Sequence, residues 1–170
     1  MRTEQLPLAA GRVAALALLL FGPLALAAML GAIVPAKPGD TGALAAGILG
    51  LCAMLMLAIL GAIAMRRSVT FGDRDVIIRH SFYTIRIDAQ AWTGAALDTV
   101  GQSGITFRKN GIAAFGYYSG WFAGARGDTV FCAIGGGTLY RIATPGHARC
   151  SAILIGCSAP LAHTLRQPDC

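Results

Sequence analysis

The chain has 170 residues, of which 55% are hydrophobic and 13% charged, with a formal net charge of +6; soluble domains average about 25% charged residues. Its basic residues stand singly apart from the pairs Arg66-Arg67 and Arg108-Lys109. Without a Lys/Arg run interleaved with aromatics, the charge does not read as a nucleic-acid surface.

The apolar excess lies in the first 65 residues, where between Arg12 and Arg66 only Lys37 and Asp40 carry charge. Residues 1–12 read as a short N-terminal flank. Val13 to Ala36 is the first uncharged run, 24 residues long, which as a helix spans ~36 Å against the ~30 Å hydrocarbon core of a bilayer. Gly22-Pro23 falls in its middle and predicts a kink, because proline removes one helical hydrogen bond. Arg2 and Arg12, followed by an apolar core and Ala25-Leu26-Ala27, also fit a cleavable signal peptide. Against that, the apolar run continues through Met29, Leu30, Ile33 and Val34.

Pro35 to Gly42, with two prolines and two glycines, is a turn, and residues 37–42 form a short external loop. A second uncharged run, Ala43 to Met65, predicts another transmembrane helix of ~35 Å. Gly42, Ala46 and Gly50 repeat at four-residue spacing. Small residues so spaced permit close backbone approach in lipid, to the first helix or to another copy; Gly and Ala are also simply common here. Arg2 and Arg12 before the first span, and Arg66 and Arg67 after the second, place both termini in the cytoplasm by the positive-inside rule. The expectation is a multi-pass inner-membrane protein, with Arg66 and Arg67 facing anionic headgroups of membrane lipids.

From Arg66 onward the pattern changes to period two. This part, residues 66–170, has 11 basic and 6 acidic residues and is long enough for one compact domain. Val69–Phe71 and Val76–Ile78 predict strands around Gly72-Asp73, and His80-Ser81 predicts the next turn. In Phe82–Asp88, Tyr83, Ile85 and Ile87 alternate with polar residues, as in a half-buried antiparallel strand. Trp92 follows as a core plug in a loop. Ile105–Arg108 is a further strand, and Gly111, Gly116 and Gly120 punctuate an irregular stretch with Phe115, Tyr117, Tyr118, Trp121 and Phe122. These aromatics either fill the core or mark a contact surface. Thr129–Ile134 and Thr138–Ala143 flank Gly135-Gly136-Gly137, a hairpin signal. Ala152–Ile155 is a last strand. Ser158 and Pro160 open a helix carrying Leu161 and Leu165, which Pro168 ends. The sum is a membrane α-helical pair plus a mainly-β domain, a meander of about seven strands closed by a C-terminal helix.

The segment Arg108 to Phe122, with Asn110-Gly111, Gly116-Tyr117 and Gly120-Trp121-Phe122, resembles the bacterial PH-like domains that follow paired transmembrane helices. The likeness covers roughly residues 66–167. It implies a pleckstrin-homology antiparallel β-barrel capped by a helix, with no enzymatic activity, and a structural role for Asn110, Gly111, Gly116, Tyr117, Gly120 and Trp121. Eukaryotic PH domains hold phosphoinositides with a basic cluster at the first strand pair. The matching turn here, Gly72-Asp73-Arg74-Asp75, sets one arginine between two aspartates, a departure that argues against that ligand.

Other chemistry finds little purchase. Five cysteines, Cys52, Cys132, Cys150, Cys157 and Cys170, contain no CxxC and read as free thiols in a reducing compartment. His147, Cys150, Cys157 and His163 match no standard zinc spacing. No elbow surrounds any Ser or Cys that would pair with His80, His147 or His163, and Gly101–Gly104 and Gly135–Gly137 open no phosphate-binding helix. No cofactor and no metal are expected. The reading is a non-enzymatic interaction or assembly module with a protein partner or self-association. A ligand or lipid sensor using the barrel mouth, lined by Trp92 or Trp121, is the alternative, and a membrane-bound hydrolase or metal protein comes third.

Overall fold

The structure is a computed structural model that describes residues 2–33, 42–93, 97–99 and 105–166. In chain order the elements are β1 (Arg2–Gln5), α1 (Ala10–Ile33), α2 (Gly42–Met65), β2 (Arg67–Phe71), β3 (Asp75–His80), β4 (Tyr83–Asp88) and α3 (Ala89–Thr93). There follow β5 (Leu97–Thr99), β6 (Ile105–Ala114), β7 (Tyr117–Gly124), β8 (Thr129–Ile134), β9 (Thr138–Ala143), β10 (Ala152–Cys157) and α4 (Ala159–Arg166). The sheets run β1-β2-β3-β4 and β5-β9-β10-β8-β7-β6. The loop expected around residues 37–41, the Gly101–Gly104 turn, Pro168 and Cys170 lie outside the described residues.

Both N-terminal runs have helical backbones, with Pro23 inside α1, and α1 packs on α2. Among the described residues no helix is long and apolar enough to cross a membrane. This overturns the expected transmembrane pair, and with it the multi-pass inner-membrane placement with both termini cytoplasmic.

The β part also departs from the expected seven-stranded antiparallel barrel. Among the described residues ten strands form two sheets, and β8 and β10 run parallel. Gly135–Gly137 makes no hairpin, because β10 inserts between β8 and β9, antiparallel to β9. The reason is visible at the glycines. A Cβ on Gly137 would strike the backbone of Cys157, and one on Gly156 would strike the carbonyl of Gly136. Bare backbones let the end of β10 pass under the link where side chains would hold it off. Every residue of β10 is buried, as befits a strand covered on both faces.

The stretch taken as irregular after Gly111 is regular. β6 and β7 pair from Ile105↔Gly124 to Ala114↔Tyr117, with register shifts at Ile105/Phe107 and Arg108/Asn110. Trp92 lies on α3 and is buried in the core.

The segment before α1 belongs to the β fold. β1 pairs antiparallel with β2, Gln5 opposite Ser68. Leu6 then donates its amide to Arg67 O at 3.3 Å and puts its side chain, 1% exposed, into the core with Val69, Ile78 and Ile155. Ala9 donates to Gly135 O at 3.0 Å. The α1–α2 excursion therefore leaves and re-enters between two paired strands. Leu6→Ala should lower unfolding free energy by about 2–5 kcal/mol, the usual cost of such a truncation. Denaturant titration followed by tryptophan fluorescence reads it, and a loss below about 1 kcal/mol would mean β1 is only loosely attached.

Candidate functional site

Two tight turns meet at the end of the β part nearest α1 and α2. β3 alternates in burial, so that Val76, Ile78 and His80 point inward and Ile77 and Arg79 do not. Period two thus carries an imidazole into the interior. His80 is 1% exposed. Its ring stacks on Tyr117 with centroids 5.0 Å apart, and its carbonyl accepts from Ser119 Oγ at 2.9 Å. Ser81, in the β3–β4 turn at φ 53°, is hydrogen-bonded through its hydroxyl to Tyr117 Oη. That bond holds the β3–β4 turn beside the β6–β7 turn, where Phe115 and Gly116 both take positive φ, as a two-residue I′ connection requires. The turns leave Phe82 60% and Phe115 56% exposed.

The arginines join this end. Arg66 reaches Ser81 O at 3.3 Å, Phe82 O at 3.4 Å and Thr84 Oγ1 at 2.9 Å. It clamps the turn. Arg67 is the register partner of His80. Arg12, in the first turn of α1, has its guanidinium packed on Gly116, where a Cβ would come within 3.3 Å. Burial, with the Arg67 charge second, holds His80 down to about 4 from 6.5. Burial raises the Tyr117 hydroxyl against the opposing hydrogen bond from Ser81.

The motif residues of β6 and β7 serve this geometry. Asn110 Oδ1 accepts from Tyr83 Oη at 3.0 Å, and Gly111 lies opposite Gly120. Gly120, at φ 112°, has no room for a Cβ against Asn110 O and the Gly111 Cα. Trp121 packs edge-on to Phe131 with centroids 5.0 Å apart. Elsewhere, Gly50 of α2 faces open space within the chain, as does Gly47, so Gly50 is not packed on α1. The side-chain surroundings of Gly42 and Ala46 are outside the described residues.

A second feature is the β9–β10 loop, which borders a depression of about 490 Å³ lined by Ile87, Asp88, Ala91 and Thr144–Ala148. The loop unites two residues of the discounted zinc set. His147 Nδ1 accepts from the Arg149 amide at 3.2 Å, which leaves the proton on Nε2 to be donated to Arg86 O at 3.2 Å. The Cys150 thiol donates to the same Nδ1 at 3.4 Å. Burial pushes the Cys150 thiol up, opposed by the hydrogen bond to Thr144, and the His147–Arg86 bond ties the loop to β4. Cys157 is buried at the end of β10 and His163 is exposed on α4. Among the described residues no three His, Cys, Asp or Glu side chains group as a metal site. The residues lining this depression include neither Trp92 nor Trp121.

No protein family, curated protein or solved structure matches the chain.

A buried neutral histidine beside an arginine makes folding pH-dependent. The unfolded chain takes up this proton near pH 6.5 and the folded one only near 4. Stability is thus full above pH 6.5 and is lost as pH falls towards 4, by about 2 kcal/mol between pH 7 and 5. The charged and titratable groups beside the ring are Arg67, whose charge acts on it, and Tyr117, which stacks on it. Denaturant titrations at pH 7 and pH 5 should show this drop in the wild type and a flat response in His80→Gln; equal slopes in both would contradict the assignment.

Proposed function

We propose that the chain is a non-enzymatic assembly module that associates with a second copy of itself through α2. One observation carries the reading. Ile48, Leu51, Leu55 and Ile59 are spaced three, four and four residues apart along α2 and are 44–73% exposed. Successive spacings of three and four put them on one helical face. An exposed apolar stripe of this kind is the pattern that pairs helices, and a patch that matches itself favours a twofold dimer. Gly47 and Gly50, with nothing within 4 Å of a built Cβ, leave space for a second backbone to come close. The β part supplies a rigid base, since β2 begins two residues after the last residue of α2.

Cys52 is a free, exposed thiol on the same side of α2, which makes the interface directly testable. Mild oxidation of the full chain in a Cys170→Ser background should give a disulfide-linked dimer. The band should vanish in Cys52→Ser. It should fall several-fold when Leu51 and Leu55 are changed to Gln in the Cys170→Ser background. A dimer yield unchanged by the two glutamines, or no dimer at concentrations where the chain sediments as an oligomer, would defeat the proposal.

A further inference from the structure

The turn-bearing end of the molecule holds three nitrogens, two on guanidinium donors and one on an imidazole, that no group among the described residues satisfies. Arg12 Nη1, Arg67 Nε and His80 Nδ1 are each shut off from solvent and without a hydrogen-bond partner. Buried polar atoms are nearly always paired, because an unpaired one costs its full desolvation. For a guanidinium the cost is larger. Three at one end call for a common acceptor.

The donors come from three elements and gather around Tyr117. Arg67 and His80 face one another across β2 and β3. The His80 ring lies on that of Tyr117, and the Arg12 guanidinium lies against Gly116, one residue before it. His80 is buried, while Arg12 and Arg67 are half-buried, so their side chains border solvent although the inner nitrogens do not. The described ion pairs engage Glu4, Asp75 and Asp128 with Arg2, Arg86 and Arg141; none of them serves Arg12 or Arg67.

We infer that Arg12, Arg67 and His80 form an oxyanion site that takes a phosphate group. Two guanidinium donors and an imidazole N–H approach from separate strands and a helix start. They suit a tetrahedral group that offers several oxygens, where a planar carboxylate has two. The turn Gly72–Asp75, where the PH-like resemblance would place a phosphoinositide, is at the opposite end of β2 and β3. The oxyanion site is also independent of the α2 stripe, and either can fail without the other. The phosphate can belong to the free ion or to an ester in a lipid headgroup, and the test separates the two.

The full wild-type chain, with imidazole nitrogens observed by ¹⁵N NMR, is titrated with inorganic phosphate at constant ionic strength set with chloride. The His80 Nδ1 resonance should move with saturation, while that of exposed His163 should not. Thermal unfolding should shift upward with phosphate in the wild type and in the Arg74→Gln control. The phosphate concentration needed should rise at least tenfold in Arg12→Gln and in Arg67→Gln. If free phosphate has no effect, flotation with phosphatidylglycerol–phosphatidylcholine vesicles decides. Binding lost in Arg12→Gln and Arg67→Gln, and absent with pure phosphatidylcholine, assigns the site to a headgroup ester. No His80 response to either probe, or responses equal in the arginine variants and the wild type, would overturn the inference.

Discussion

Everything in this structure hangs on the pairing of β1 with β2. The two strands are neighbours in the sheet but more than 60 residues apart in sequence, with Arg2 opposite Phe71 and Gln5 opposite Ser68. Closing so long a loop carries an entropic cost that grows only slowly with its length. It is offset where Leu6 enters the core beside Val69 and Ile78. Ala9 then bonds Gly135, so the chain enters α1 from a fixed position. At the other end α2 delivers Arg66 to the β3–β4 turn and Arg67 to β2. The helices are an insertion held at both ends.

That arrangement explains why the polar residues collect where they do. Arg12 starts α1, Arg67 starts β2, and His80 ends β3. The closure of β1 on β2 brings the first of these to Gly116, next to the Tyr117 on which His80 stacks. The bond between Ser81 and Tyr117 adds the β6–β7 turn to the same end. A buried neutral histidine, two arginines with inner donors unpaired, and two exposed phenylalanines then share one corner of the molecule. Across the sheets, the β9–β10 loop is closed by its own His147–Cys150 contact.

Much of the β part could be read from the sequence because burial there follows simple alternation. β4 was legible from Tyr83, Ile85 and Ile87, and β8 and β9 from their apolar runs. The same alternation would have placed His80 inward, in phase with Val76 and Ile78; reading His80-Ser81 as a turn hid it. The Gly135–Gly137 hairpin failed for a different reason. Glycine-rich links signal a reversal but do not say which strand lies alongside, and β10 takes the place between β8 and β9 through contacts remote in sequence. β1 was illegible because Arg2–Gln5 carries no apolar pattern; its pairing is made by the backbone. The expected membrane spans rested on composition and length, and those do not determine what the described helices present. Arg66 and Arg67, which the sequence marks as charges after an apolar run, and Gly116 and Tyr117, which it marks by a motif, lie at one end of the fold, where Arg12, His80 and Ser81 contact them.

Native-state hydrogen exchange at the Leu6 amide is the most direct test of the closure. This amide, bonded to Arg67 O across the insertion, should exchange in the slowest class together with the buried strands β8 and β10. Exchange as fast as that of a frayed terminus, with β8 and β10 still protected, would show that β1 does not close the fold and would remove the basis for placing Arg12 beside Arg67 and His80.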